Sequence, residues 1–314
     1  MGAKPFTVHR ALLAWIRIGR GRDQVRARVA RVLTKSLEGD VVQIVSGGVS
    51  DVGRVRTNNE DSFRVLEALN LFILSDGMGG EAHGEVASAM AVETVEKFCS
   101  NPDASKEDSG VTLHGAASDN WSPQTKILQN AVFQANFSIY QSAQKHPEQR
   151  GMGATLTTGW LNESKLSIAH VGDSRAYLLR TGALQQLTND HSLVAEQVRR
   201  GILTPQQAEE SEMQSVLLRA LGANPEVDVE VDEVDLMPRD VLLFCSDGLT
   251  RMVSEPEIAG KLQAETDPGT AAQKLVDLAN ERGGLDNVTV IVVRVQDDSK
   301  GWFSWLRRDS GKKD

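Results

Sequence analysis

The sequence of 314 residues has only two cysteines, Cys99 and Cys245. That number excludes a disulfide-based scaffold and favours a reducing compartment. The sequence also lacks any apolar run near the roughly 20 residues that a membrane-spanning helix needs. The apolar run at residues 11–16 is shorter than the core of a secretory signal, which takes roughly 7–15 residues. We therefore expect a cytoplasmic protein of ordinary globular composition.

Two phosphate-handling motifs are absent as well. The sequence has no GxxxxGK[ST] stretch, which argues against a P-loop kinase or ATPase. It has no DxDx[TV] stretch either, the pattern of phosphatases that form an aspartyl phosphate. The formal net charge is −9, and residues 1–40 contain nine basic and three acidic side chains, which leaves −15 for residues 41–314. An acidic body of this kind is not expected to bind nucleic acid.

The two ends of the chain differ from its centre. Residues 1–40 combine basic side chains with apolar residues at helical spacing, which predicts an amphipathic extension. We favour a solvated appendage, with weak contact to an anionic membrane surface or an acidic partner as the alternative. Residues 297–314 form a predicted tail. Its segment 301–308 contains two tryptophans, which could dock on the body or touch a membrane interface.

Residues 41–296 predict one domain. Short apolar runs that stop at turn residues, such as 71–74 and 241–245, predict buried strands. Amphipathic stretches at 85–100 and 124–144 predict helices. Because the strands come in runs and the helices in pairs, we expect antiparallel sheets with helices packed outside, and no alternating Rossmann arrangement.

Acidic residues follow or precede several of these strands at turn positions. The residues concerned are Asp76, Asp173, Asp247 and Asp286, with Glu60 and Asp61 opening a further strand. One aspartate in a turn is most often only a turn former. If all these turns converge, however, two carboxylates about 4 Å apart repel by about 4 kcal/mol at an effective dielectric constant of about 20. Such a cluster needs shared protons or bound cations, and its oxygen ligands select Mg²⁺ or Mn²⁺.

Six short motifs occur in order over about residues 43–295. They read SDVGRVRTNNEDS at 50–62, SDGMGG at 75–80, GATL at 153–156, VGDSR at 171–175, SDGL at 246–249 and DNVT at 286–289. This ordered set resembles the metal-dependent protein phosphatases of type 2C, in particular their compact bacterial branch. The resemblance implies an α+β fold, a four-layer α-β-β-α sandwich of two antiparallel sheets flanked by helices. A binuclear metal cleft would lie between the sheets.

The resemblance also implies a reaction and its partners. The chain would hydrolyse phosphoserine and phosphothreonine in phosphorylated proteins by direct attack of a metal-bridging water. It would use two Mn²⁺ or Mg²⁺ ions, with a possible third. We expect a Ser/Thr kinase that shares its substrates, and a monomeric phosphatase.

Residue roles follow from motif position. The implied metal ligands are Asp76 between two ions, the carbonyl of Gly77, Asp247, Asp286, Glu60 through water, and Asp173 at a third ion. Asp61 would support these ligands from behind. Arg56 would bind the substrate phosphate, since its guanidinium offers a planar fork of donors. Residues 187–215 would form a flap beside the cleft.

One position departs from the family pattern. Many eukaryotic members have histidine directly after the Asp-Gly pair, proposed there as the general acid, whereas this chain has Met78. His83 lies in the same loop and is a tentative general acid, although a solitary loop histidine is more often only solvated.

Two alternatives remain at this stage. Cys245 and Arg251 have the C-x5-R spacing of cysteine-dependent phosphatases. Asp247 inside that loop would repel both a thiolate and a phosphate, which argues against this chemistry. The second alternative is a non-catalytic member of the same fold that only binds phosphoproteins. The presence of every matched aspartate argues against such a loss of function.

Overall fold

The computed structural model describes residues 25–26, 42–79, 83–101 and 120–297. The predicted basic extension, apart from residues 25–26, lies outside these ranges, and so does the tail from residue 298, with its segment 301–308. Their interpretation therefore stays a prediction. None of the helices within the described ranges is long and apolar enough to cross a membrane.

The first sheet has six antiparallel strands in the order β1-β2-β12-β11-β8-β9. Their bounds are β1 Val25–Arg26, β2 Ile44–Asp51, β8 Arg175–Arg180, β9 Ala183–Gln186, β11 Val241–Cys245 and β12 Val288–Val295. The apolar run of β11 is central, since it pairs with β12 on one side and with β8 on the other.

The second sheet has the order β10-β7-β6-β4-β3, and the short strand β5 pairs with the end of β4. Their bounds are β3 Asp61–Leu66, β4 Leu71–Met78, β5 Gly153–Ala154, β6 Leu156–Asn162, β7 Lys165–Val171 and β10 Glu230–Asp235. Strand β10 was not predicted, because its sequence EVDEVD is rich in acids. It occupies an edge of the sheet, beside β7.

Six of the seven described helices follow a serine, threonine or aspartate at the N-cap position, and the first follows His83. Their bounds are α1 Gly84–Ser100, α2 Pro123–Lys145, α3 Leu193–Arg199, α4 Pro205–Glu209, α5 Asp247–Thr250, α6 Glu255–Ala264 and α7 Pro268–Glu281. Thr204 caps α4 in a capping box with Gln207, and Pro205 takes the first helical position. Helices α1 and α2 match the predicted helices within a residue or two.

Three apolar cores separate four layers. The alternation along β4 sends Leu71 and Ile73 into a core with α1 and α2, while Phe72 and Leu74 join the core between the two sheets. On the other side, residues of β11 and β12 pack against α6 and α7. The predicted four-layer α+β sandwich is confirmed.

Candidate metal centre

Acidic side chains from both sheets meet at one end of the sandwich. Asp61 and Asp76 are opposite each other on β3 and β4. Asp247 follows β11, and Asp286 precedes β12, the strand that pairs with β11. Asp173 lies in the short connection that passes from β7 in one sheet to β8 in the other. We call these five residues the acidic cluster.

The carboxylates of the cluster act on one another electrostatically. Desolvation and the nearby charges of Asp61 and Asp247 raise the pKa of Asp76 well above its ordinary value. Desolvation, followed by the charge of Asp247, also raises the pKa of Asp173 to about 7. The predicted convergence of distant turns is therefore present in the fold, and it carries the electrostatic cost that like charges impose.

Asp61 is held from behind by two hydroxyl groups. Its Oδ2 accepts hydrogen bonds from Ser246 Oγ at 2.8 Å and from Thr289 Oγ1 at 2.6 Å. Desolvation outweighs these two bonds and raises the pKa of Asp61 to about 7. Strand β12, through Thr289, and the residue directly after β11, Ser246, thus fix an acid that belongs to the second sheet.

Two carboxylate oxygens are available to bind a metal ion, because they have no hydrogen-bond partner among the described residues. Asp61 Oδ1 and Asp247 Oδ1 are buried, and neither has a hydrogen-bond partner among the described residues. Buried carboxylate oxygens are costly unless they bind a cation or a proton. In the described part of the chain no three acidic, histidine or cysteine side chains are already arranged as a complete ligand set. The donor types therefore suit a hard divalent cation.

Two arginines form ion pairs with the carboxylates of Asp247 and Asp286. Arg56 Nη2 donates to Asp286 Oδ2 at 2.8 Å, and half of the Arg56 side chain is exposed. Arg251 Nη2 lies 2.5 Å from Asp247 Oδ2, and its Nη1 lies 3.8 Å from Asp286 Oδ2. The predicted phosphate-binding Arg56 is therefore beside the cluster, and it is joined there by a second guanidinium that was not predicted.

Glu60 is brought to the cluster by close backbone packing. A Cβ on Gly84 would lie 2.4 Å from Glu60 Oε2, and a Cβ on Gly77 would lie 2.1 Å from the Gly84 carbonyl oxygen. Gly77 N–H also donates to the Glu60 carbonyl at 3.1 Å. Desolvation and the charge of Glu85 raise the pKa of Glu60. The end of β4 and the start of α1 therefore meet at Glu60 only because both glycines lack a side chain.

Asn287 ties the loop between β2 and β3 to the start of β12, a role that sequence analysis missed. Its Oδ1 accepts from Glu60 N–H at 2.8 Å. Its Nδ2 donates to the carbonyls of Val52 at 3.0 Å and Asn58 at 2.9 Å. The Asp286-Asn287 pair was visible in the sequence, but its partners lie more than 220 residues away along the chain.

His83 lies at the start of α1, in a left-handed backbone conformation with φ of 70°. Its Nδ1 is 3.5 Å from Glu85 Oε1, and 41% of its side chain is exposed. The structure pairs the tentative general acid with Glu85, and the next residue along the chain, Gly84, packs against Glu60 and Gly77. Its proposed role stays a prediction.

The predicted flap is anchored to the connection that carries Asp173. His191 N–H donates to the Gly172 carbonyl at 2.7 Å, and Gly172 N–H donates to His191 Nδ1 at 3.1 Å. Next to this anchor, Arg175 makes a two-pronged ion pair with Asp190 through Nε and Nη2. A cavity of about 770 Å³ lies between the flap and the segment from α5 to α6, and Asp173 and Asp247 reach its lining.

Comparison with known proteins decides the family. Residues 53–279 match the family model of protein phosphatase 2C. The chain belongs to the protein phosphatase 2C family. The serine/threonine phosphatase stp of Listeria monocytogenes is 38% identical over 255 residues, which cover 80% of this chain and 96% of that protein.

Solved structures of the family agree with this assignment. The serine/threonine phosphatase PstP/Ppp of Mycobacterium tuberculosis superposes with a TM-score of 0.70 at 35% identity, over 82% of this chain and 100% of that one. The catalytic domain of PstP in complex with two manganese ions has a TM-score of 0.68, also at 35% identity, over 82% of this chain and 99% of that one. The predicted family and fold are both confirmed.

Cys245 has little capacity for nucleophilic chemistry in this protein phosphatase 2C domain. Its side chain is fully buried at the end of β11, and burial raises the pKa of the thiol to about 12. The arginine of the C-x5-R spacing, Arg251, is paired with Asp247. Both observations argue against a cysteine-dependent phosphatase, because that chemistry needs a thiolate.

Proposed function

We propose that this protein is a Mn²⁺- or Mg²⁺-dependent protein phosphatase that hydrolyses phosphoserine and phosphothreonine in proteins. The observation that carries the proposal is the convergence of the acidic cluster, with buried oxygens of Asp61 and Asp247 that have no hydrogen-bond partner among the described residues. Membership of the protein phosphatase 2C family supports it, and so do relatives that are named serine/threonine phosphatases.

The acidic residues of the proposed metal centre would have different roles. The metal ligands would be Asp76, the carbonyl of Gly77, Asp247, Asp286, Glu60 and, at a third position, Asp173. Divalent ions bound there supply Lewis-acid activation of water and positive charge for the transferring phosphoryl group. Asp61 would hold the arrangement rigid, since both of its hydroxyl donors are in turn parts of neighbouring strands or loops.

Arg56 would orient the phosphate. Its side chain lies at the edge of the cluster and is half exposed, so a phosphate can reach its free donors. A guanidinium offers five N–H donors, and the bond to Asp286 uses only one of them. Positive charge held ready for developing negative charge is usually the largest contribution of an active site.

Phosphorylated proteins are the proposed substrates, and a Ser/Thr kinase that modifies the same proteins is the proposed functional counterpart. We propose a cytoplasmic location and a monomeric state. The location is supported by two free, buried cysteines, which suit a reducing compartment.

The central test is the hydrolysis of p-nitrophenyl phosphate and of a phosphoserine peptide. We expect turnover with Mn²⁺, loss of turnover with EDTA, and loss in Asp247→Asn. The matched control Asp235→Asn changes an exposed aspartate that pairs with Lys165, and it should behave as wild type.

Three outcomes would contradict the proposal. Activity that ignores both EDTA and Asp247→Asn would exclude the metal centre. Activity that survives EDTA but is lost on alkylation would instead indicate Cys245. Binding of the phosphopeptide without any turnover would indicate a non-catalytic phosphoprotein-binding protein.

A further inference from the structure

The cavity between the flap and the segment from α5 to α6 is called the flap cavity below. Among the arginines that line it, Arg251 differs in its ion-pair partners. Four arginines line this cavity: Arg175, Arg199, Arg251 and Arg282. Three of them pair with carboxylates outside the acidic cluster, namely Asp190, Glu196 and Glu257. Arg251 is the one of the four that forms its ion pairs with acids of the cluster.

Local helix geometry places Arg251 at the cluster. The short helix α5 begins at Asp247, and Arg251 N–H donates to the Asp247 carbonyl at 2.9 Å. Residues four apart on a helical turn share a face, so the two side chains are directed to the same place. The Arg251 side chain is 27% exposed, which leaves it open to the cavity.

Two guanidinium groups flank one carboxylate oxygen. Asp286 Oδ2 accepts a hydrogen bond from Arg56 Nη2 at 2.8 Å and lies 3.8 Å from Arg251 Nη1. The two groups are therefore close neighbours. Arg251 belongs to the lining of the flap cavity, which does not include Arg56.

We infer that Arg251 is a second phosphate-binding residue, which contacts the substrate phosphate from the flap side while Arg56 contacts it from outside the flap cavity. The inference rests on the proposed phosphatase function. A guanidinium has five donors, and contacts with two carboxylate oxygens do not exhaust them. Arg251 would yield these oxygens to a bound cation, and its donors would then face the phosphate, for which a planar fork is well suited.

The experiment measures phosphate binding directly. Inorganic phosphate is titrated calorimetrically into the Mn²⁺-loaded wild type, Arg251→Ala, Arg251→Lys and the control Arg282→Ala, whose own partner is Glu257. The KM for p-nitrophenyl phosphate and the Kd for Mn²⁺ are measured on the same four proteins. Thermal melts establish that each variant is folded.

We expect the phosphate Kd and the KM to rise about tenfold in Arg251→Ala, because one charge-assisted contact is lost. Arg251→Lys keeps the charge without the planar fork, so it should fall between wild type and alanine. Arg282→Ala should match wild type. If Arg251→Ala does not fold, the comparison of Arg251→Lys with wild type decides.

Two results would overturn the inference. One is an unchanged phosphate Kd and KM in folded Arg251 variants. The other is a change in the Mn²⁺ Kd alone, which would mean that Arg251 acts only on its carboxylate partners. A wild type that neither binds phosphate nor turns over substrate with Mn²⁺ would instead contradict the proposed phosphatase function.

Discussion

Four of the five acids of the cluster divide into an inner pair, Asp61 and Asp76, and an outer pair, Asp247 and Asp286. Asp61 is held by hydroxyl groups, and the charges that act most strongly on Asp76 are those of other carboxylates. Each outer acid has a guanidinium beside it, at 2.5 Å for Asp247 and 2.8 Å for Asp286. The same residue type is thus supported in two physically different ways.

The difference shows what each kind of partner can do. A hydroxyl group satisfies a lone pair but supplies no net charge, so it does not offset the repulsion between desolvated carboxylates. A guanidinium donates hydrogen bonds and also supplies a positive charge. The inner pair should therefore depend more than the outer pair on a bound cation or a proton, and four substitutions test that distinction.

The largest effect is expected for Asp76→Asn. We expect kcat/KM with Mn²⁺ to fall on the order of 10³-fold or more, because bound metal contributes several kcal/mol to the transition state and about 1.4 kcal/mol is tenfold. The metal-free variant should melt at a higher temperature than the metal-free wild type, since a desolvated charge beside other carboxylates is removed. Steady-state kinetics and thermal melts in EDTA measure both quantities.

Asp286→Asn is the matched comparison from the outer pair. It should also lose activity, but its metal-free melting temperature should fall, because Arg56 and Arg251 lose a carboxylate partner. If both asparagine variants shift the metal-free melting temperature in the same direction, the distinction between inner and outer acids does not hold.

A smaller effect is expected for Arg56→Ala. Loss of charge-assisted hydrogen bonds to phosphate, worth roughly 1.5–3 kcal/mol, should lower kcat/KM for p-nitrophenyl phosphate by about 10–100-fold, mainly through KM. The substitution also leaves Asp286 with fewer cationic neighbours, so the metal-free melting temperature should fall. Arg64→Ala, which removes an exposed arginine paired with Glu96, serves as the control. A KM that stays at the wild-type value would exclude a phosphate contact.

The smallest effect is expected for Ser246→Ala, which removes one of the two hydroxyl donors to Asp61. We expect a loss of about 1–3 kcal/mol in the free energy of unfolding, because a buried carboxylate loses a donor. Urea denaturation measures this quantity. Ser142→Ala removes a donor to the neutral amide oxygen of Gln149 and should cost less. Equal losses would show that the charge of the acceptor is unimportant here.

The fold and the main acids were predictable from the sequence because their signals are local. Apolar runs that end at Ser-Asp-Gly mark both Asp76 and Asp247 as strand-end acids, and the order of the motifs identifies the family. The apolar run at residues 71–74 predicted a buried strand, and in the structure its side chains alternate between two cores.

Other parts depend on contacts that one sequence does not reveal. Asn287 gains its role from partners more than 220 residues away. Arg251 was considered only through its spacing from Cys245, because no helix was predicted directly after β11. Helix α5 is what brings Arg251 and Asp247 to one face. Strand β10 has only two valines, Val231 and Val234, which are three residues apart, so it lacks the period-two alternation that would have predicted a strand.

The anchor between His191 and Gly172 has a mechanical consequence. Both backbone groups of Gly172 are engaged by His191, and Asp173 is the next residue along the chain. A displacement of the flap would therefore also displace the backbone next to Asp173. Since the same two hydrogen bonds hold the flap and fix the residue before Asp173, the position of the flap and the position of this acid depend on each other.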